Sequence, residues 1–223
     1  MIISNQFCWL HLPKTGGTST ARLFRSLDIP EISIDPDEVD AKHESIQYRR
    51  RDGNLKTKNI TTIITSRRLA AWLLSDWHHK TKKMGLALPF EPVKSGLFYS
   101  LRLGGTWVAA DYWIHYFDAA SCTHTVRLEH LEKDSNRYVL PLLPKGTKPL
   151  QFPNQNTNQY SRKIEDFFGR NDLKRIYENN PAWTSWEEKI YGNLAKINPT
   201  NRLISKGKKF FTRINGLELL RSF

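Results

Sequence analysis

Lys14, the pair Gly16-Gly17 and the hydroxyls of Thr15, Thr18 and Ser19 fall within one short run, P-K-T-G-G-T-S from Pro13 to Ser19. Residue types in that order suit a di-anionic ligand. Glycines let the backbone approach a phosphate closely, and a helix that starts just after them presents unpaired N–H groups at its positive dipole end. The hydroxyls, with that of Thr20, add donors at the same place, and Lys14 adds a full charge. Further along, Arg67 and Ser75 stand eight residues apart, after a β-branched stretch and within a helical pattern. An arginine fork at a helix start and a serine two turns on can close on a second phosphate. Between the two sets lies His43, whose imidazole, with an ordinary pKa near ~6.5, can take a hydroxyl proton at neutral pH. Glu44 is the alternative base, and a plain surface histidine is the competing reading of His43.

The elements that must position these groups follow from local pattern. Phe7, Trp9, Leu10 and Leu12 form a short apolar run that Pro13 ends, so a buried strand is expected, then a glycine turn and a helix from Thr18. Asn59 to Ser66 is β-branched and reads as a second buried strand. Leu69, Trp72, Leu73 and Trp77 recur at helical spacing after it. The basic end His78-His79-Lys80 suits a solvated helix terminus, with an acceptor-lining role as the alternative. Residues 84–96 read as a Gly/Pro-rich loop, and 104–120 as one aromatic-rich helix. Asp28 to Asp40 holds a short strand. The nucleotide-triphosphate loop G-x-x-x-x-G-K-[ST] places its lysine after the glycines; here the lysine precedes them, which disfavours an ordinary ATPase.

With that order, Pro13 to Ser19 resembles the 5′-phosphosulfate loop of sulfotransferases, enzymes that move a sulfuryl group from 3′-phosphoadenosine 5′-phosphosulfate (PAPS) to a hydroxyl or amine. Arg67 and Ser75 resemble the same family's 3′-phosphate signature, R-[DN]-P-x-x-R-x-x-S-x-Y, with Arg68-Leu69, Trp72 and Trp77 at the positions that differ. Arg127, Glu129, Leu131 and Asp134 follow the family's late strand pattern R-x-E-x-L-x-x-D, and Tyr191-Gly192 resembles its closing aromatic-glycine pair. The resemblance spans residues 7 to 192. It implies an α/β fold, a mainly parallel sheet flanked by helices in the P-loop NTPase-like sulfotransferase arrangement, over a domain of residues 1–192.

The resemblance further implies that Lys14, Thr15, Gly16, Gly17, Thr18, Ser19, Arg67 and Ser75 bind PAPS and its product 3′-phosphoadenosine 5′-phosphate (PAP), joined by Arg162 from the polar loop that also holds Tyr160 and Lys163. Lys14 and His43 would be catalytic, the latter as the base. The acceptor would be a hydroxyl, of a carbohydrate by the placement of His43, with a small alcohol or phenol and a peptide tyrosine as the open alternatives, and no metal is needed.

Among 223 residues, 34 Lys and Arg against 22 Asp and Glu give a net charge of +12, which points to acidic partners without choosing among nucleotide, glycan, nucleic acid and membrane. Two other classes compete: a P-loop kinase-like phosphotransferase, and a non-enzymatic polyanion binder using the charge and seven tryptophans. Against the first stand the lysine position and Ser66-Arg67 where a magnesium-binding aspartate would be expected. Against the second stand dispersed charges and aromatics at core spacing, with no nucleic-acid motif. Cys8 and Cys122, each placed in a buried strand by pattern, read as reduced core residues. No signal segment or run of ~18 apolar residues is present, so a cytoplasmic chain is expected. Residues 193–223 form a basic extension, with seven Lys or Arg against Glu218 alone. It reads as a helix, either packed on its own domain or laid amphipathically on an anionic membrane surface or a partner.

Overall fold

The computed structural model describes residues 1–51, 53, 60–152 and 164–195. Seven strands and eight α-helices are found among them, joined by short 3₁₀ and π turns. Five strands make one mixed sheet in the order β3-β1-β2-β4-β7: β1 Ile2–Ile3, β2 Phe7–Leu10, β3 Ser33–Ile34, β4 Thr61–Ser66 and β7 His124–Arg127. The strands β2, β4 and β7 run parallel, in a register that aligns Leu10 with Ile64 and Ser66 with Arg127. The sheet is less parallel than expected, because β1 pairs antiparallel with both β2 and β3. Only Ser4 to Gln6 connect β1 to β2, and a link that short can only reverse the chain. The Ser4 hydroxyl receives the Phe7 N–H at 3.0 Å and fixes the turn.

Every residue of β2 is buried, because both sheet faces are covered. Phe7 and Trp9 point to one face, with Ile63, Val126 and the Leu23 and Phe24 side chains of α1 (Gly17–Leu27). Cys8 and Leu10 point to the other, with Ile64, and meet Trp72 and Leu73 of α3 (Leu69–His78), Trp113 of α5 (Asp111–Phe117), Ile176 of α7 (Arg170–Glu178) and Trp183 of α8 (Pro181–Tyr191). The remaining helices are α2 (Ile46–Arg51), α4 (Glu91–Lys94) and α6 (Leu131–Tyr138). A separate hairpin pairs β5 (Leu97–Ser100) with β6 (Thr106–Ala109). No helix among the described residues is long and apolar enough to cross a membrane.

Four local expectations are corrected. The single helix expected over 104–120 begins only at Asp111; Thr106, Trp107 and Val108 form β6, since the paired glycines before them turn the chain back onto β5. Cys122 follows a 3₁₀ turn and is half-buried, outside any strand, whereas Cys8 is a free, buried thiol in β2 as expected. The loop at 84–96 contains α4, which buries Val93 in the core. The end of α3 is not a solvated terminus: a π turn over His79–Lys83 buries Lys80, and its amine pairs with the buried Asp76. Arg162, Tyr160, Lys163 and residues 196–223 lie outside the described residues.

The start of α3 is held from α8. Glu187, buried with its carboxylate, accepts the Leu69 N–H at 2.7 Å, the Arg68 guanidinium at 3.1 Å and the Tyr177 hydroxyl at 3.0 Å. A helix N-terminus has orphan donors, and here a carboxylate from a distant helix satisfies one of them. Burial raises the Glu187 pKa, while the Leu69 N–H and the other donors oppose the shift. Glu187→Ala leaves Arg68 and the Leu69 N–H without this partner, so a loss on the order of 3 kcal/mol is expected in chemical unfolding; a change below about 0.5 kcal/mol would contradict this role for Glu187.

Candidate functional site

Parallel strands deliver their following loops to one edge, and in open α/β sheets that edge is where ligands bind. Here β2, β4 and β7 bring three segments there: His11 to Gly17, Ser66 to Arg68, and Arg127 to Glu129. Contacts tie them together. The Arg67 guanidinium donates to the Lys14 carbonyl at 3.1 Å, and the Trp72 indole donates to the Pro13 carbonyl at 2.7 Å. Leu128 packs against Gly16, where an added Cβ would stand 2.7 Å from its Cδ1.

The turn itself is built for close approach. Lys14 has φ of 64° and Gly16 of 85°, so two residues adopt the left-handed region before the helix. For lysine this conformation costs on the order of 1 kcal/mol, and such strain collects at ligand clamps. Gly16 precedes α1 without a side-chain cap among the described residues, leaving the helix N–H groups directed out of the turn. Backbone of this kind forms anion-binding nests. The hydroxyls divide: that of Thr15 is buried and donates to the Leu12 carbonyl at 2.7 Å, and that of Thr20 donates to Gly16 at 3.2 Å, so both stiffen the turn. Thr18 is half-buried at the helix start, and Ser19 is buried.

Positive charge surrounds Lys14. Burial lowers its pKa to about 8, and the charges of Lys83, Arg67 and Lys80 push the same way, against Asp76. An anion arriving here meets a cluster whose members repel one another, and it relieves that repulsion on binding. Ser75, the expected partner of Arg67, is buried in α3 next to Asp76. Trp72, at a position where the resembling signature carries arginine, is wholly buried and fastens α3 to the turn by its indole N–H.

His43 sits at the end of a 3₁₀ turn, Asp40–His43, and its Nδ1 lies 2.8 Å from the His11 carbonyl oxygen. A carbonyl can only accept, so Nδ1 carries the hydrogen and Nε2 keeps its lone pair, the tautomer a general base requires. Burial lowers the His43 pKa to about 4, against the His11 hydrogen bond, so the ring is neutral at pH 7. Glu44 is committed elsewhere, to the Arg49 Nε at 2.5 Å.

His11 was not foreseen. Its ring lies 4.5 Å from that of His43, and a Cβ added to Gly17 would stand 1.7 Å from its Nε2. Burial, then the neighbouring His43, lowers the His11 pKa well below the ordinary value. Gly17 is thus explained by the imidazole stacked on its α-carbon, and His11 joins the turn to His43. Sequence held one signal for it, a lone polar residue between the buried Leu10 and Leu12.

The third segment is an anchor. Asp134 takes the Arg127 Nε at 2.7 Å, Nη2 at 2.8 Å and backbone N–H at 3.0 Å. The Tyr191 hydroxyl donates to Glu129 at 2.5 Å and lies 3.3 Å from the Ser66 hydroxyl, while the Arg68 guanidinium lies over the Tyr191 ring. Arg67 meets the turn directly through the Lys14 carbonyl, whereas His43 is linked to it only through His11, whose ring lies on Gly17. Among the described residues no group of three or more histidine, cysteine, aspartate or glutamate side chains is placed to hold a metal ion.

Fold and site together define an α/β protein with a strained, glycine-paired turn in basic surroundings at the C-terminal edge of its parallel strands. No family model, curated protein or solved structure matches the chain.

Gly17→Ala must displace His11. The expected outcome is a loss of roughly 1–3 kcal/mol in stability. The titration midpoint of His43, read by NMR, should also move up from about 4 toward ~6.5 as water reaches it. An unchanged midpoint would show that His11 does not shield His43.

Proposed function

We propose that the chain is a sulfotransferase of P-loop NTPase-like fold, moving the sulfuryl group of PAPS to a hydroxyl acceptor, a carbohydrate by preference. The observation that carries the reading is the strained Lys14 turn with Arg67 on its carbonyl, next to His11, whose carbonyl leaves His43 with a free Nε2 lone pair. In the PAPS reading the 5′-phosphosulfate lies against the N–H groups of Gly16 to Ser19 with Lys14, and Arg67 and Ser75 take the 3′-phosphate. Arg162 is a further cofactor ligand from outside the described residues.

The transfer is in line. The acceptor hydroxyl attacks sulfur, its proton passes to His43 Nε2, and the bond from sulfur to the bridging oxygen breaks, leaving PAP. Negative charge grows on the bridging oxygen, where the Lys14 ammonium and the turn's N–H groups stabilise it without reorganising. Trp72 and Arg67 hold that turn through its carbonyls, which keeps the donors aimed.

Calorimetric titration without metal tests the binding step. PAP should bind, and AMP about tenfold to a hundredfold more weakly, since it lacks the group that Arg67 would hold. Binding of ATP with magnesium alone would favour the kinase reading, and binding of none would remove the nucleotide site. Lys14→Ala and Arg67→Ala should each weaken PAP by a similar factor.

His43→Ala should leave PAP affinity within about twofold and lower transfer by roughly 10²–10⁴. The pH dependence follows from the two shifts. Lys14 is charged below about 8, so PAP affinity should fall, and binding should take up protons, as pH rises past that value. His43 is neutral above about 4, so kcat/KM should hold on the acid side until that range. An acid limb at ~6.5 would show a base with an ordinary imidazole pKa.

A further inference from the structure

The segment that carries His43 is fastened from the β5–β6 hairpin. At the hairpin tip Arg102 donates to the Tyr116 hydroxyl at 2.6 Å and approaches the His43 carbonyl at 3.5 Å, with its guanidinium 4.6 Å from the centre of the Tyr116 ring. Tyr116 in turn receives the Ser45 N–H at 3.4 Å. The guanidinium is held in one orientation by a hydroxyl and a ring face, yet it is exposed to solvent.

Its charge stands apart from the others nearby. Arg49 is matched by two carboxylates, Asp35 at 2.6 Å and Glu44 at 2.5 Å. Asp40 and Lys42 lie within the 3₁₀ turn, and the amino terminus pairs with Asp35 at 3.2 Å. Among the described residues Arg102 has no carboxylate within ion-pair distance, and Glu44, whose charge reaches Tyr116, is already held by Arg49. A fixed, solvated guanidinium with free N–H donors is the fork that binds a carboxylate in bidentate fashion. Two exposed leucines, Leu101 and Leu103, flank it and can cover the apolar face of a sugar ring.

We propose that Arg102 reads a carboxylate on the acceptor, so that the hydroxyl delivered to His43 belongs to an acidic sugar. This inference rests on the sulfotransferase reading, since His43 marks the reacting hydroxyl. It adds the chemical class of the acceptor and the residue that selects it. Arg102 is a specificity residue here: it lies beside the base rather than on the reacting atoms.

The test compares methyl β-glucuronide with methyl β-glucoside, which differ in the carboxylate, titrated by NMR into the PAP-saturated protein. The glucuronide should bind at least about tenfold more tightly. Arg102→Gln should remove that preference, Arg102→Lys should lose most of it because an ammonium cannot hold Tyr116 and a carboxylate in one plane, and Tyr116→Phe should weaken it with the charge intact. PAP affinity should not change in any of them. Lys174→Gln, which removes a distant exposed charge paired with Glu178, should leave both sugars unaffected.

Equal binding of the two sugars to the wild type, or a preference that survives Arg102→Gln, overturns the inference while PAP binding keeps the broader reading intact. If PAP itself fails to bind, the sulfotransferase reading falls and this inference falls with it. Circular dichroism melting of each variant separates loss of the carboxylate contact from loss of fold. Should Arg102→Gln melt early, the Tyr116→Phe and Arg102→Lys titrations decide the question.

Discussion

Two side chains occupy the space that Cβ atoms would need at the turn between β2 and α1: Leu128 against Gly16 and His11 against Gly17. That exclusion fixes much else. It ties the β7 loop and the residue after β2 to the start of α1, so the turn cannot relax without moving both. The left-handed Lys14 is kept by its carbonyl contact to Arg67, and Pro13 is kept by Trp72, so α3 also locks onto the turn. A backbone strained by ~1 kcal/mol or more persists only when its surroundings over-determine it, and here three elements do so.

The electrostatics follow the same geometry. Burial, helped by the cations around it, lowers the Lys14 pKa to about 8, and burial likewise pushes the two histidines into the neutral form. The turn is thus positively charged, while the neighbouring His11 and His43 are neutral. Environments that drive titratable groups apart in this way assign acid and base roles within a site. Lys80 and Asp76, paired inside the helix end, add local charge without net change, and the field at Lys14 combines Asp76 with Lys83, Arg67 and Lys80.

Much of this was legible in sequence where one local rule dominated. The apolar run Phe7 to Leu10 and the β-branched run before Arg67 gave their strands, and the glycine pair gave the turn. The errors came where long-range contacts decided. Thr106 to Ala109 became a strand because β5 lay ready to pair, and the His78-to-Lys83 end was drawn inward by the Asp76–Lys80 pair. His11 escaped notice because its value lies in two contacts, with Gly17 and His43, that no spacing encodes. Arg102 escaped for the same reason: its partner Tyr116 is fourteen residues away and on another element.

The proposed anion site is the turn from Lys14 to Ser19. Backbone amide shifts in a 15N-labelled sample, followed during addition of PAP, test it most directly. The largest saturable changes are expected at Gly16, Gly17 and Thr18, with a second set at Arg67 and its neighbours. PAP binding with those amides unmoved, and the shifts gathered elsewhere on the basic surface, would contradict it.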